Sequence, residues 1–167
     1  LALPQNLETK KYLKLLGTKN IKLIGNLKFF GRLQKDNIKN LILKKKFSKR
    51  IVFCAASTHR TEELFIGKVH KELKLEIKNL ITIIIPRHIN RKKEIIDELN
   101  NIGLNSQLHT SQKKLSKETD IYIVDTYGES AKFYSLSKLT FLGGSLVPHG
   151  GQNPLESARE GNYILYG

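Results

Sequence analysis

Two short runs of apolar residues limit the folds open to this chain more than any other feature. Residues 51–56 (IVFCAA) and 81–85 (ITIII) are almost unbroken in apolar side chains, many of them β-branched. Strands of this kind are buried on both faces, as they are inside a parallel sheet that has helices on either side. The two runs therefore predict an α/β architecture.

The rest of the chain continues the alternation of strand-like and helix-like segments. Apolar, β-rich runs predict strands, and apolar residues at helical spacing between charged ones predict helices. Such an alternation favours a Rossmann-like parallel sheet with helices on both faces. The predicted strands cover 22–24, 51–56, 80–85, 104–108, 121–124, 139–142 and 163–165, and the predicted helices cover 7–16, 34–45, 61–75, 91–101, 129–137 and 154–160.

Length and charge narrow the function classes. A chain of 167 residues is typical of one domain, and it contains no apolar run near the ~20 residues of a membrane span. The formal net charge of +14 predicts attraction to an anionic partner such as nucleic acid, anionic lipid or a phosphorylated substrate. Lysines spread over solvated faces are the alternative interpretation. The densest basic run, 44–50 (KKKFSKR), fits a helix C-terminus.

Cysteine, histidine and serine residues do not indicate catalysis. Cys54 lies inside the first apolar run, so we expect a buried thiol without a disulfide partner. His59 and His88 can bind phosphate or titrate near neutral pH, but no spaced ligand set accompanies them, so no metal is expected. Ser57 and Ser145 lack the nucleophile-elbow pattern of serine hydrolases.

The stretch 141–156 (FLGGSLVPHGGQNPLE) predicts a strand, a glycine-rich loop and a helix start. Asn153 suits the N-cap, Pro154 the first helical position, and Glu156 the third, where it can complete a capping box. Glycines allow close approach of a ligand, and a helix N-terminus attracts anions, so the stretch predicts a phosphate site. An ordinary glycine turn before a capped helix is the alternative.

Four predicted strands end in polar residues, at 57–63, 86–88, 125–129 and in the glycine stretch. In parallel sheets these ends share one edge, where ligands bind, so we expect a nucleotide site there. Arg87 can clamp a phosphate or carboxylate, or form a surface ion pair. Glu129 and Glu156 can accept hydrogen bonds from hydroxyl or amine groups, or stabilise their helix starts.

Taken together and in order, these segments resemble the C-terminal domain of the 3-deoxy-D-manno-octulosonic acid (Kdo) transferases. The matching pieces are GNLKF at 25–29, AASTH at 55–59 followed by Glu62-Glu63, PRH at 86–88, DTYGE at 125–129, and the glycine stretch. The resemblance implies a GT-B glycosyltransferase fold, with two Rossmann-like domains. It also implies inverting transfer of Kdo from CMP-Kdo to the lipid A precursor, without a cofactor and without a metal at the transfer step.

The resemblance also implies which residues line the CMP site and what lies outside this chain. Its general base is a glutamate of the N-terminal domain, so no catalytic residue is expected here, and the chain alone is expected to be inactive. Residues 1–28 would lead in from that domain, and 29–167 would form a CMP-Kdo-binding domain truncated at its C-terminus. The implied CMP-site residues are Pro86, Arg87, Tyr127, Gly128, Glu129, Asn153, Pro154, Leu155 and Glu156, with His59, Gly143, Gly144, Ser145, Gly150 and Gly151 as possible support.

Partners and location follow from the same resemblance. The partners would be the CMP-Kdo donor, the lipid A precursor and an anionic membrane contacted peripherally, at the cytoplasmic face of the bacterial inner membrane. Another GT-B enzyme that uses a UDP-sugar, including epimerase-like members, is one rival. A basic nucleic-acid-binding module is the other, but aromatic residues do not interleave with the basic runs, so no nucleic acid is expected.

The chain departs from the family pattern at several positions. Thr61 stands where the family often has glycine, and Tyr127 stands where it often has methionine. Ile89 follows PRH in place of proline, Gln152 replaces a more usual histidine, and His149 lies where arginine or glutamate is common. The Gly-Gly and Asn-Pro-Leu-Glu frame is intact.

Overall fold

The computed structural model describes residues 1–25 and 37–167 of the chain, which forms two compact units, Leu1–Lys35 and Asp36–Gly167. The first unit contains helix α1 (Leu7–Leu15), whose N-cap Asn6 accepts a hydrogen bond from the backbone N–H of Thr9. The strand predicted at 22–24 is wrong. Pairing there is limited to one bridge between Ala2 and Ile21, so the described part of this unit offers no partner strand.

The second unit is built around a parallel sheet. Its six described strands are β1 (Ile51–Thr58), β2 (Leu80–Pro86), β3 (Ser106–Leu108), β4 (Ile121–Ile123), β5 (Leu139–Leu142) and β6 (Tyr163–Leu165), in the order β3-β4-β2-β1-β5-β6. The described helices of this unit are α2 (Asn37–Phe47), α3 (Glu62–Glu76), α4 (Lys92–Asn101), α5 (Ser130–Tyr134) and α6 (Leu155–Arg159), with a 3-10 turn at Ile89–Arg91. The predicted Rossmann-like α/β class is confirmed.

Side-chain alternation along the central strands produces a core on each face of the sheet. On one face, Cys54 and Ala56 of β1 pack with residues of α2 and α5, among them Phe47 and Phe133. On the other face, residues of β1 and β2 pack with α3 and α4, through Ile66 and Ile95 among others. Every residue of β2 is buried, which accounts for its nearly continuous apolar sequence.

The element boundaries differ from the predictions by a few residues. β1 extends to Thr58 through an irregularity between Ala56 and Thr58, where Ser57 has a φ of 55°. α5 ends at Tyr134, not at 137. The first residues of the predicted helix 34–45, most of the GNLKF segment and the predicted domain boundary after residue 28 lie outside the described residues.

The predictions of a buried Cys54 and of a basic run at a helix C-terminus are both confirmed. Cys54 is completely buried, and burial raises the pKa of its thiol to about 12. The basic run occupies the last turn of α2, at Lys44, Lys45 and Lys46. None of the helices in the described part of the chain combines the length and the apolar character that crossing a membrane requires.

A buried histidine lies at the amino-terminal side of the sheet. The side chain of His70, on α3, is fully buried. Its Nδ1 lies 2.8 Å from Thr82 Oγ1, and its Nε2 lies 3.5 Å from the carboxylate of Asp120. Burial lowers the pKa of His70 to about 4, and Asp120 opposes this only partly. His70 is therefore neutral in the folded protein at neutral pH.

We expect stability to fall as the pH drops from about 6.5 to about 4, because the unfolded chain then binds a proton at His70 before the folded one does. The contribution of His70 to this loss is about 3 kcal/mol on the scale of 1.36 kcal/mol per pKa unit. Urea unfolding of the wild type and of His70→Asn at several pH values measures it. In the variant, the free energy of unfolding should depend less steeply on pH between about 4 and 6.5. Equal pH dependence in the two proteins would contradict the assignment to His70.

Candidate functional site

A buried carboxylate joins the end of β1 to the glycine stretch. Glu62, the first residue of α3, is 1% exposed. Its Oε2 accepts hydrogen bonds from the backbone N–H groups of His59, at 2.8 Å, and Gly144, at 2.9 Å. Its Oε1 accepts from the N–H groups of Ser145, at 3.2 Å, and Leu146, at 3.1 Å. Four aligned backbone donors thus hold one negative charge in the interior.

The first two glycines of the stretch, Gly143 and Gly144, allow the loop to approach Glu62. A Cβ added at Gly143 would lie 2.4 Å from Ser57 O and 2.8 Å from Glu62 Oε2, so only glycine fits. Gly144 has a φ of 71°, which turns its N–H toward Glu62. In this structure the N–H groups of residues 144–146 are bonded to Glu62. A phosphate bound near the glycine stretch would need donors from elsewhere.

The ring of His59, which lies beside Gly144, has two other histidine rings near it. The ring of His59 lies 4.4 Å from that of His149 and 5.9 Å from that of His88, measured between centroids. The Nε2 atom of His59 is buried and has no hydrogen-bond partner among the described residues. Burial, followed by the neighbouring His149, lowers the pKa of His59. No group of His, Cys, Asp or Glu in the described ranges is arranged to hold a metal ion.

Arg87 follows β2 at the same edge. Pro86 is buried at the end of the strand, and the backbone N–H of Arg87 donates to Thr58 O at 2.9 Å, so β1 fixes the residue. The side chain itself is exposed. Arg87 is close enough to His59 to disfavour its protonation. A guanidinium and the histidines therefore surround the end of β2.

Glu129, which follows β4, is the centre of a second polar cluster. Its carboxylate accepts hydrogen bonds from Thr126 Oγ1 and from Lys132 Nζ, the latter at 2.6 Å. His109 Nε2 lies 3.2 Å from Glu129 Oε2. The hydrogen bonds from Lys132 and Thr126 hold the pKa of Glu129 below its ordinary value. Glu129 is thus ionised and held in place at neutral pH.

A third carboxylate at this edge is that of Asp125. Asp125 is buried and accepts hydrogen bonds from the N–H and hydroxyl of Thr110 and from Lys92 Nζ, at 3.0, 2.7 and 3.0 Å. Burial raises the pKa of Asp125, but these donors outweigh it, and the net pKa lies below the ordinary value. Asp125 ties the segment after β3 to the start of α4.

The remaining predicted residues lie on the turn before α5 and around the start of α6. Tyr127 and Gly128 are exposed between β4 and α5, and Gly128 has a φ of 76°. Asn153 Oδ1 accepts from the N–H of Leu155 at 3.0 Å and so caps α6, beside the exposed Pro154. The capping box predicted for Glu156 is not formed among the described residues. The short α6 begins at Leu155, and Glu156 is exposed.

Gly150, Gly151 and Ser145 close the glycine stretch on itself. The N–H of Gly151 donates to Gly144 O at 2.6 Å, and Gly150 O accepts from the hydroxyl of Tyr166 at 3.2 Å. Ser145 Oγ donates to Leu142 O at 2.7 Å. These bonds make the stretch a compact loop at the end of β5.

The sequence interpretation missed two parts of this edge. His109 follows β3 directly, and applying the strand-end rule to that strand as well would have found it. Glu62 was noted only as part of a matching segment. Its bond to a loop 82 residues away leaves no local sequence signal.

Several known proteins are similar to this chain in sequence or structure. No family model matches the chain. A 3-deoxy-D-manno-octulosonic acid transferase of Rickettsia bellii is 35% identical over 153 residues, which are 91% of this chain and 36% of that protein. The enzyme of the same name from Haemophilus influenzae is 30% identical over 159 residues, 93% of this chain and 37% of that protein. The chain thus spans about a third of the length of these curated relatives.

Among solved structures, the C-terminal CMP-Kdo binding domain of WaaA from Acinetobacter baumannii superimposes with a TM-score of 0.71 at 29% identity. The match covers 76% of this chain and 67% of that one. This chain is a relative of the Kdo transferases. The resemblance inferred from its strand ends is thereby confirmed, as is the fold class.

The backbone has an unusual conformation just before Glu62. Thr61 has a φ of 78°. A β-branched residue rarely adopts this conformation, which costs about 1–3 kcal/mol. Thr61 directly precedes Glu62, so the backbone that leads to the buried carboxylate is strained.

Replacing Thr61 by glycine should relieve the strain and raise the free energy of unfolding by about 1 kcal/mol, after the entropic cost of glycine. Thr61→Ala is the matched control, because it keeps a Cβ and should gain little. Chemical denaturation measures both. A glycine variant no more stable than the alanine variant would show that the positive φ costs nothing.

Glu62→Gln should lower the free energy of unfolding by about 2–3 kcal/mol, because the amide NH₂ would face backbone N–H groups that now share a carboxylate. The exposed Glu118→Gln is the control and should change stability by less than about 0.5 kcal/mol. Thermal and urea melts measure the difference. Equal effects at the two positions would contradict the role of Glu62.

Proposed function

We propose that this chain is the donor-binding domain of a Kdo transferase and binds CMP-Kdo at the carboxyl ends of its strands. The observation that carries the proposal is the match to a domain described as CMP-Kdo binding, at 29% identity and a TM-score of 0.71. The relatives named as Kdo transferases support it over 91% and 93% of the chain. The ligands and activity of the complete protein remain proposals, because the chain spans about a third of those relatives.

The proposed CMP site joins the residues after β2 and β4 with the start of α6. Arg87 is exposed and can hold a phosphate oxygen while the nucleotide departs. The ionised Glu129 and the exposed Glu156 can accept hydrogen bonds from ribose hydroxyls or from the base amine. Pro86, Tyr127, Gly128, Asn153, Pro154 and Leu155 would line the same site, with the histidine and glycine residues as support.

For the complete protein we propose inverting transfer of Kdo to the lipid A precursor, with the general base in a domain outside this chain. The chain alone would then bind the nucleotide without catalysing transfer. Its net charge of +14 suits contact with a phosphorylated acceptor and an anionic membrane, at the cytoplasmic face of the bacterial inner membrane. No metal is proposed for the transfer step.

Calorimetric titration with CMP and then UMP tests the donor site. We expect CMP to bind more tightly than UMP, and Arg87→Ala and Glu156→Ala each to weaken CMP binding about tenfold, which is the loss of roughly one charge-assisted hydrogen bond.

The matched controls are Lys117→Ala and Glu118→Ala, exposed charges in the segment before β4, away from the proposed site. They should leave the affinity unchanged. Preference for UMP would favour a UDP-sugar enzyme. Absence of binding by a protein that gives a normal thermal melt would refute the donor-site proposal.

A further inference from the structure

His109 has no part in the proposed CMP site, yet it contacts that site's most constrained carboxylate. It follows β3 directly and is partly buried. Its ring packs edge-on against Phe133, with centroids 5.1 Å apart and planes at 89°. On one side its Nδ1 lies 3.0 Å from the hydroxyl of Tyr122, and on the other its Nε2 lies 3.2 Å from Glu129.

The partners of Tyr122 decide which ring nitrogen of His109 carries the proton. Lys46 Nζ lies 2.6 Å from the Tyr122 oxygen and can only donate, so the oxygen accepts from lysine. Burial raises the pKa of Tyr122 to about 12, so its hydroxyl keeps a proton. That proton is then donated to His109 Nδ1. On this geometry the ring proton lies on Nε2, which is 3.2 Å from Glu129 Oε2 and within reach of a hydrogen bond to it.

Glu129 is left with little freedom by this arrangement. A carboxylate offers about four acceptor positions. Over the described residues, Thr126 donates to Oε2, His109 Nε2 lies 3.2 Å from the same oxygen, and Lys132 donates to Oε1. About one acceptor position, on Oε1, remains for a ligand. Without His109, Thr126 alone would hold Oε2, and that oxygen would also be open to a ligand.

We propose that His109, held by the hydroxyl of Tyr122, is a positioning residue that fixes Glu129 so that a single acceptor position meets the nucleotide. This proposal rests on the donor site proposed above. It assigns His109 no contact with the nucleotide, so its effect on binding passes through Glu129.

A double-mutant cycle on CMP affinity tests this route. The four proteins are the wild type, His109→Leu, Glu129→Gln and the double variant, each checked by a thermal melt. We expect His109→Leu to weaken CMP binding about tenfold in the wild-type background and less than about twofold when Glu129 is already Gln, because coupled residues are not additive. His109→Gln, whose amide can still donate to Glu129, should recover most of the affinity.

A spectroscopic measurement on the wild type tests the tautomer of His109 independently of the binding variants. Nitrogen-15 NMR should show the proton of the His109 ring on Nε2, with Nδ1 as the acceptor, and Tyr122→Phe should shift that population. The opposite tautomer in the wild type would overturn the proposal, as would equal effects of His109→Leu in both backgrounds. If the folded wild type does not bind CMP, the donor site itself is refuted and the positioning role falls with it.

Discussion

The carboxylate of Glu62 is the contact on which the carboxyl-terminal edge of the sheet depends. It gathers N–H groups from the end of β1 and from the loop after β5, two neighbouring strands whose loops are distant in sequence. A buried charge is tolerable only when its donors are this complete. The strain at Thr61 and the close packing at Gly143 are both consequences of placing this group in the interior.

Two of the carboxylates at this edge, those of Glu62 and Glu129, therefore have different roles. Glu62 is fully enclosed by backbone donors, so it shapes the loop and has nothing left to offer a ligand. Glu129 is held by side chains and is partly exposed, so it can still accept a hydrogen bond from a ligand. The same chemical group thus serves as structure in one place and as a candidate ligand contact in the other, and the difference lies in the donors around it.

The sequence predicted what local patterns encode and missed what long-range contacts decide. The runs at 51–56 and 80–85 identified β1 and β2 because strands buried on both faces must be apolar along their length. The residues after four strands were expected at one edge, and the six described strands are indeed parallel. The bond from Glu62 to Gly144 and the link from Tyr122 through His109 to Glu129 join distant segments, so spacing could not reveal them. At 22–24, a β-favouring segment has no partner strand among the described residues beyond the single bridge next to it, between Ala2 and Ile21, and propensity alone did not make a strand.

Cys54 makes the core of this protein directly observable. It is the single cysteine of the chain, it is completely buried in the central strand β1, and its thiol is far from ionising at neutral pH. Since the thiolate is the reactive form, a thiol reagent can modify the residue only when the central sheet opens. The rate of labelling at Cys54 therefore reports how often the core opens, and no engineered probe is needed to measure it.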